Sequence, residues 1–541
     1  MEIKNKFLKS GNNNWVNLTL FLTLLLLLPI FLLILRVFDF NGENFLYLWD
    51  NLLIDYTKNT FQLVIITLFF SLLFGVLPAW VISSSRFFGR KFYDIVLYLP
   101  LAVPSYIMAF TYSDILSYTG PMQSFIRKNY PDFSNFFNQD YLQIEVLGII
   151  MALSLFPYVY TVSRVSFSLL GSNYINLARN LGLSSFKTFY KIILPLSRPA
   201  ILSGLFLVLM EVLNEYGAVK YFGVNTFTTG IFRAWFSMND VTTAIQLSIV
   251  LLTVVFIIFF GEKLWNSRHR FNYKINNKIE NLSSADLKKT LFSNFICLVP
   301  FAFGFLFPLI FILDNVIHAY DSINFSDLFL LSKNTLLVSS IAALSVTIIA
   351  FLIEFVGKMT KGKVYFYISQ LISLGYALPG AVIGMGLIIL FTDLNHFFID
   401  FPFIGSLFVL IYAYIIRFMA VGKSPIKSSF EKHPESYDET AKNLGASTFK
   451  LFQKLHFPIN KFALLVAFIL TFIDVMKELP ITLILRPFNF DTLATQTYEY
   501  AIEEMIPKSS IYSLTIIVIG SILLILLKKF ISREFYVSGS K

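Results

Sequence analysis

Two pairs of acidic residues stand one helical turn apart in segments that are otherwise apolar. Glu211 and Glu215 form the first pair, and Asp474 and Glu478 form the second pair 263 positions later. Residues four apart share a helix face, and ionisable groups at membrane depth usually face a cavity and mark a pathway. Together with Asn214, these acids could line a passage that attracts a hard, oxygen-seeking cation. Because a conduit must release its cargo, we expect transient contacts and no stable metal site.

A purely structural role is the alternative for these acids. Lys477 adjoins Glu478, and Lys220 lies shortly after Glu215, so two of the carboxylates have a candidate cationic partner in the sequence. Under this alternative the acids hold helices together and do not meet the cargo.

Other chemistry finds little support in the sequence. Cys297 is the single cysteine, and the five histidines show no metal-ligand spacing. No phosphate-binding loop, zinc-binding helix or nucleophile elbow is present. We therefore expect that the chain is not an enzyme and binds no cofactor of its own, which leaves an integral-membrane enzyme as a remote alternative.

The composition is that of an integral membrane protein. Of 541 residues, 56% are hydrophobic and 61 are Phe. Only 14% are charged, whereas soluble domains carry about 25% charged residues. Apolar stretches long enough to cross a bilayer recur along the chain. The predicted fold is all-α, with about twelve transmembrane helices near 16–35, 61–83, 93–113, 143–163, 199–218, 241–261, 291–313, 335–356, 365–391, 403–416, 463–483 and 511–527.

The basic residues set the predicted orientation. With both termini in the cytoplasm, the inner segments and adjoining helix ends hold 33 of the 43 Lys and Arg, and the outer ones hold 10. The acidic residues are distributed 11 inside and 22 outside. This agrees with the positive-inside rule, so the basic pI reflects membrane topology and does not indicate nucleic-acid binding.

The chain contains an internal repeat. Asn176–Pro195 and Glu439–Pro458 are 263 positions apart and identical at ten of twenty positions. Each copy of the repeat contains an even number of spans, so both halves point the same way, as in transporters with parallel repeats. Each segment by itself could be a passive helix at the membrane surface. Two copies at equivalent places in both halves favour docking sites for a two-fold symmetric partner, so we call Asn176–Pro195 docking loop one and Glu439–Pro458 docking loop two. Further matches, 275 positions apart, are Asn59-Thr60 with Asn334-Thr335 and Val103-Pro104 with Leu378-Pro379.

The docking loops have a predictable local structure. Gly445 should end a short helix in the left-handed conformation, and Ser447 should cap the next helix. Phe449 and Phe452, three apart, should share one face of that helix, and Pro458 should mark the break before the next span. The equivalent residues of docking loop one are Gly182, Ser184, Phe186, Phe189 and Pro195.

Both docking loops resemble the EAA loop of type I ABC importer permeases, which forms the coupling helix. Docking loop two carries four residues of that motif: Glu439, Ala441, Gly445 and Pro458. Docking loop one matches it at Ala178, Gly182 and Pro195, but Asn176 replaces the glutamate. The resemblance implies the type I ABC importer transmembrane fold and identifies these eight positions as contacts of a cytoplasmic ATPase.

Two further stretches resemble fused permeases of ferric iron ABC importers. They are Met210–Trp235 and Met476–Ala501. The resemblance implies a permease subunit of the bacterial inner membrane that forms the path for ferric iron. It also implies two partners: a homodimeric ABC ATPase that hydrolyses ATP and a periplasmic substrate-binding protein. Permeases for thiamine and for aminoethylphosphonate are similar, and a secondary transporter with parallel repeats remains the alternative of a different class.

The predicted domain organisation follows the repeat. An N-terminal tail, first span and outer loop precede the first transmembrane domain, a basic cytoplasmic linker joins the halves, and the seventh span and its outer loop precede the second domain. The respective boundaries are 1–58, 59–261, 262–290, 291–333, 334–528 and a C-terminal cytoplasmic tail at 529–541.

Cysteine labelling tests this topology. With Cys297 replaced, a cysteine introduced within 262–290 should react with an impermeant reagent only from the cytoplasmic side. A cysteine introduced within 115–140 should react only from outside. Labelling of both positions from the same side would mean that the span count is wrong.

Overall fold

The computed structural model describes residues 13–36, 43–132, 137–180, 182–267, 283–284, 286–360, 363–395 and 403–539. Helices dominate these ranges. In the first half the α-helices are Asn13–Leu35, Glu43–Asn51, Leu53–Ser84, Arg90–Val96, Ser105–Leu116, Pro121–Asn129, Ile144–Asn180, Ser185–Thr188, Leu194–Leu196, Arg198–Asn214, Gly217–Tyr221, Phe227–Phe232 and Val241–Ser267. In the second half they are Leu287–Phe301, Phe307–His318, Phe325–Thr360, Lys363–Ile372, Gly380–Asn395, Leu407–Lys432, Ser436–Asn443, Thr448–Lys450, Phe457–Met476, Pro480–Leu485, Leu493–Ile502 and Ile506–Gly539.

Short turns of other helix types join several of these α-helices. The 3-10 turns are Leu99–Ala102, Tyr320–Ser322 and Ser373–Ala377. The π-helical turns are Phe189–Ile193, Arg233–Ser237, Ala302–Leu306 and Leu451–His456. Two two-residue strands, Ser85–Arg86 and Ser283–Ser284, pair in parallel. The cytoplasmic linker is therefore paired with the first half at its end, whereas its residues 268–282 lie outside the described ranges.

Within the described ranges, nine helices are long and apolar enough to cross a membrane, and two bent helix pairs raise this number to eleven. The chain is thus a multi-pass membrane protein with the predicted all-α fold. Two of the twelve predicted spans are interrupted near their middle. The span at 93–113 is bent by 92° between its two parts, and the span at 365–391 consists of two helices joined by a 3-10 turn.

The repeated prolines cause both interruptions. Proline lacks a backbone N–H and disfavours the helical conformation of the residue before it. Val103, before Pro104, is extended with φ −99° and ψ 106°. Leu378, before Pro379, is extended with φ −88° and ψ 131°. The duplicated sequence therefore produces a duplicated break, which a hydropathy pattern alone does not show.

The structure contains two compact units, and the first is built mainly from the second half. It comprises the described parts of Met1–Gly42, Met238–Val255 and Ser326–Thr492. The first helix packs so closely in this unit that a Cβ atom on Gly386 would lie 2.8 Å from the carbonyl oxygen of Pro29. The first helix is therefore packed within the unit that is built mainly from the second half.

The second unit is built mainly from the first half. It comprises the described parts of Glu43–Ser237, Phe256–Phe325 and Leu493–Lys541. In this unit, the first helical segment of the second half packs against the first half, just as the first helix of the chain packs against the second half in the other unit. The Tyr112 hydroxyl donates to the carbonyl of Phe303 at 2.5 Å.

A repeated asparagine fixes the same connection in each unit. Asn59 donates its amide N–H to the carbonyl of Asn225 at 3.0 Å, and Asn334 donates to the carbonyl of Asp491 at 3.1 Å. Each bond ties a long helix to the loop that follows the candidate path residues. The repeat recognised in the sequence is therefore also a repeat of hydrogen bonding.

Candidate translocation path and docking loops

The first path segment begins where a transmembrane helix stops. The helix Arg198–Asn214 ends, and Glu215 takes an extended conformation with φ −66° and ψ 127°. The Glu215 carboxylate accepts the backbone N–H of Ala218 at 3.0 Å, and its carbonyl accepts the Thr228 hydroxyl at 2.8 Å. Glu215 thus satisfies an otherwise unbonded donor in the first turn of the helix Gly217–Tyr221.

Glu478 repeats this arrangement in the second half. The preceding helix ends at Met476. The Glu478 carboxylate accepts the backbone N–H of Ile481 at 3.2 Å, and its carbonyl accepts the Thr482 hydroxyl at 2.8 Å. The predicted pairing of acids on one helix face is wrong, since both glutamates lie beyond the helix end and cap the next short helix.

Arg417 makes the second half different from the first. Its Nε lies 3.3 Å from Oε2 of Glu478, and both side chains are buried. Its guanidinium also donates to the carbonyl of Leu378 at 3.0 Å. Arg417 therefore connects the helix Leu407–Lys432, the proline break and the glutamate cap.

In the first half, a smaller side chain donates a hydrogen bond to the equivalent carbonyl. Ser154 lies 263 positions before Arg417, and its hydroxyl donates to the carbonyl of Val103 at 2.7 Å. Val103 and Leu378 are themselves equivalent, 275 positions apart. Both halves thus satisfy the carbonyl that precedes the proline, and only the second adds a buried positive charge.

Sequence reasoning missed Arg417 as a site residue. The predicted span 403–416, which is short and was expected to extend toward residue 421, left Arg417 near its cytoplasmic end, whereas Arg417 is only 2% exposed within the helix Leu407–Lys432. A comparison of Arg417 with Ser154 through the repeat offset could have identified the position.

The remaining path candidates occupy varied environments. Lys477 pairs with Asp474 at 2.9 Å, so one of these acids takes part in a structural ion pair. Asn214 is buried and Glu211 is half-buried. Glu211, Asn214 and Glu215 belong to one unit, and Asp474 and Glu478 belong to the other. Their role as path lining remains a prediction.

Beside Glu215, two tyrosines form a buried contact. The rings of Tyr216 and Tyr498 have centroids 5.8 Å apart, and their side chains are hydrogen-bonded. Among the described residues, no group of three or more His, Cys, Asp or Glu side chains is placed to hold a metal ion.

Docking loop two largely has the predicted local structure. The helix Ser436–Asn443 is followed by Gly445 with φ +80°, and a Cβ there would meet no atom within 4 Å. The Ser447 hydroxyl accepts the backbone N–H of Lys450 at 3.4 Å. Pro458 does not break the chain, however. The helix continues from Thr448 to Met476 because the π-helical turn before Pro458 accommodates a residue without an N–H.

Docking loop one differs from its copy at both ends. The predicted short helix is absent as a separate element, because Ile144–Asn180 runs continuously into the loop. The side chain of Asn176 lies outside the described residues. Gly182 has φ +73°, as predicted, and the break near Pro195 is real, with a 71° bend before Arg198–Asn214.

The aromatic residues of the loops divide into anchors and exposed groups. Phe189 packs on Trp80 with ring centroids 5.0 Å apart, and Phe452 packs on Phe351 at the same distance. The two phenylalanines that were predicted to share a helix face with these anchors lie at the surface instead. Phe186 is 76% exposed and Phe449 is 60% exposed. Each loop therefore has one aromatic ring packed into its own unit and one at the surface.

Comparison with known proteins identifies the family. The model of the binding-protein-dependent transport system inner membrane component matches residues 71–268 and 347–535. The chain belongs to this family. The permease thus contains the domain twice, as the internal repeat predicts, and family membership decides against a secondary transporter.

Several curated transport permeases are similar to this permease. The Fe(3+)-transport system permease protein FbpB 2 of Haemophilus influenzae is 26% identical over 533 residues, which cover 95% of this chain and 98% of the relative. The sulfate transport system permease protein CysT of Salmonella typhimurium is 28% identical over 38% of this chain and 72% of its own. The molybdenum transport system permease protein ModB of Haemophilus influenzae is 26% identical over 29% of this chain and 67% of its own.

Substitution of Arg417 should destabilise the permease more than substitution of its equivalent. Arg417→Leu leaves the Glu478 carboxylate buried without its cation, which costs about 3–5 kcal/mol, whereas Ser154→Ala removes a hydrogen bond that contributes about 1 kcal/mol. The double variant Arg417→Leu/Glu478→Gln should recover part of the loss because no buried charge remains. Unfolding of the purified protein in detergent measures all three. Equal, small effects of Arg417→Leu and Ser154→Ala would contradict the buried pair.

Proposed function

We propose that this permease forms the path by which ferric iron crosses the bacterial inner membrane. The similarity to the iron permease of Haemophilus influenzae carries the proposal, because it extends over 95% of this chain and 98% of that protein. The similarity to the sulfate permease covers 38% of this chain. The similarity to an iron permease thus extends over both halves of this chain.

The charge distribution favours a cation over an oxyanion. The segments predicted to lie outside, with the adjoining helix ends, hold 22 acidic and 10 basic residues. A negative entrance concentrates cations and repels dianions such as sulfate and molybdate. Glu211, Asn214 and Asp474 remain the candidates for transient contact with the cargo, while Glu215 and Glu478 also cap helices.

A separate ATPase is the proposed cytoplasmic partner. Each docking loop presents an exposed phenylalanine, Phe186 or Phe449, and exposed lysines flank both. Exposed aromatic groups beside positive charge suit a protein partner, and two related loops suit a two-fold symmetric one. In this arrangement the partner hydrolyses ATP, and this chain, whose curated relatives are transport permeases, contributes the path.

A periplasmic substrate-binding protein is the proposed outer partner. The family description names binding-protein-dependent transport. With the N- and C-termini in the cytoplasm, the segment between the spans at 93–113 and 143–163 faces the periplasm. It carries the helix Pro121–Asn129, which offers the binding protein an ordered surface.

Uptake by reconstituted permease tests the cargo. Liposomes that contain this permease with its cognate ATPase, and that receive its cognate binding protein and ATP, should import ferric iron and not sulfate, molybdate or thiamine. Liposomes without ATP are the control for leakage. Import of another of these solutes with no import of ferric iron would overturn the iron assignment and leave the family assignment intact.

Substitution of the exposed phenylalanines tests the docking loops. Phe186→Asp and Phe449→Asp should each weaken binding of the ATPase about tenfold, because a buried interface aromatic typically contributes more than 1 kcal/mol. Phe488→Asp is the matched control, since Phe488 is 93% exposed and lies in a loop predicted to be outside. Titration of the detergent-purified permease with the ATPase measures the affinity. Equal weakening by the control, or none by either variant, would contradict the docking assignment.

A further inference from the structure

A buried hydrogen bond between a carboxylate and an imidazole ties docking loop two to the helix that follows it. Oδ1 of Asp438 lies 2.6 Å from Nε2 of His456. Asp438 belongs to the helix Ser436–Asn443, immediately before the predicted loop boundary, and His456 ends the π-helical turn Leu451–His456. Asp438 is 7% exposed and His456 is 3% exposed. The pair therefore joins the two helical arms of docking loop two across Gly445.

The surroundings of His456 fix the position of its imidazole ring. The ring lies against Phe355 and Phe430, with centroid distances of 5.3 Å and 5.2 Å. Asn460 donates to the carbonyl of His456 at 2.7 Å. Lys358 donates to the carbonyl of Phe430 at 3.1 Å and so holds one wall of this pocket. The imidazole is therefore placed for Asp438 by packing on two sides.

The first half cannot form the same hydrogen bond. The repeat offset of 263 places Ile175 and Ile193 at the positions of Asp438 and His456. Ile193 is fully buried. Apolar contacts are non-directional, whereas a hydrogen bond to a carboxylate specifies one geometry. The residues at these two positions therefore differ in the kind of interaction that they can make.

The two docking loops also differ in how continuously they join the helices before and after them. Docking loop two continues without a large bend into the span that follows it, through Thr448–Met476. Docking loop one is separated from its following span by the 71° bend between Phe186–Leu196 and Arg198–Asn214. Before the loops the order is reversed: Ile144–Asn180 runs directly into docking loop one, whereas Leu407–Lys432 ends before docking loop two.

We propose that the Asp438–His456 pair is a positioning device that joins docking loop two and the helix Thr448–Met476 into one rigid lever. The inference rests on the proposed docking function. Because this helix ends two residues before Glu478, displacement of docking loop two moves the cap and its Arg417 partner directly. The first half lacks this connection after its loop and transmits movement through the helix that precedes the loop.

The test compares four variants of the full chain, reconstituted with the cognate ATPase, the ferric-iron-loaded binding protein and ATP. His456→Ile leaves Asp438 buried without a partner. Asp438→Ile/His456→Ile reproduces the pair found in the first half and leaves no buried charge. His456→Gln retains an N–H donor near the position of Nε2. Asp393→Ala removes the exposed pair of Asp393 with Arg36 in the same unit and is the control.

The measured quantities are assembly with the ATPase and ferric iron imported per ATP hydrolysed. His456→Ile and the double isoleucine variant should import about tenfold less iron per ATP, the factor expected when one hydrogen bond to a carboxylate is lost from the coupling route. The double variant should nevertheless assemble normally. His456→Gln should restore most of the ratio, and the control should match the wild-type chain.

Three results would overturn the proposal. The first is a wild-type ratio in the isoleucine variants, and the second is a glutamine variant as defective as His456→Ile. The third is failure of both isoleucine variants to assemble, since the pair would then serve folding alone. Failure of the proposed function gives a different result, because the wild-type chain itself would neither bind the ATPase nor import iron.

Discussion

A helix that stops within a membrane leaves backbone groups that lipid cannot hydrogen-bond, and the candidate path of this permease lies at such interruptions. Where two spans end, Glu215 and Glu478 accept an N–H of the next short helix. Where prolines break two other spans, Ser154 and Arg417 donate to the preceding carbonyl. The polar residues of the interior are therefore tied to the irregular backbone, and this backbone brings polar groups to membrane depth.

The two halves meet this common requirement with different side chains. The first half uses a neutral hydroxyl where the second uses a guanidinium paired with a carboxylate. It has isoleucines where the second has Asp438 and His456. Because both halves belong to one chain, each can change without changing the other, whereas two copies of a single-domain subunit would remain identical. The second half thereby has a buried ion pair at its path segment and a buried hydrogen bond to a carboxylate at its docking loop.

The sequence predicted the features that depend on local chemistry and on the repeat. The membrane class, the duplicated family, and the left-handed glycines Gly182 and Gly445 are confirmed. These follow from apolar length, self-similarity and the steric freedom of glycine, none of which requires tertiary contacts.

Several features that depend on tertiary contacts were not predicted. The sequence left Arg417 near the end of a short span without a partner, because Glu478 is 61 positions away in the chain. The ion pair of Lys477 with Asp474, three residues before it, was not predicted either. The packing of the first helix into the unit of the second half also escaped prediction, since hydropathy identifies a span without its neighbours.

Hydrogen exchange at the two helix ends tests the central claim most directly. The claim is that the backbone groups at the helix interruptions are hydrogen-bonded inside the protein. The backbone amides of Ala218 and Ile481 should therefore exchange far more slowly than the amide of the exposed Gly445 when the permease is held in lipid nanodiscs. Peptide-resolved mass spectrometry over 215–222 and 478–486 measures the difference. Slow exchange in both peptides is the predicted result, and exchange as fast as that of docking loop two would contradict the account.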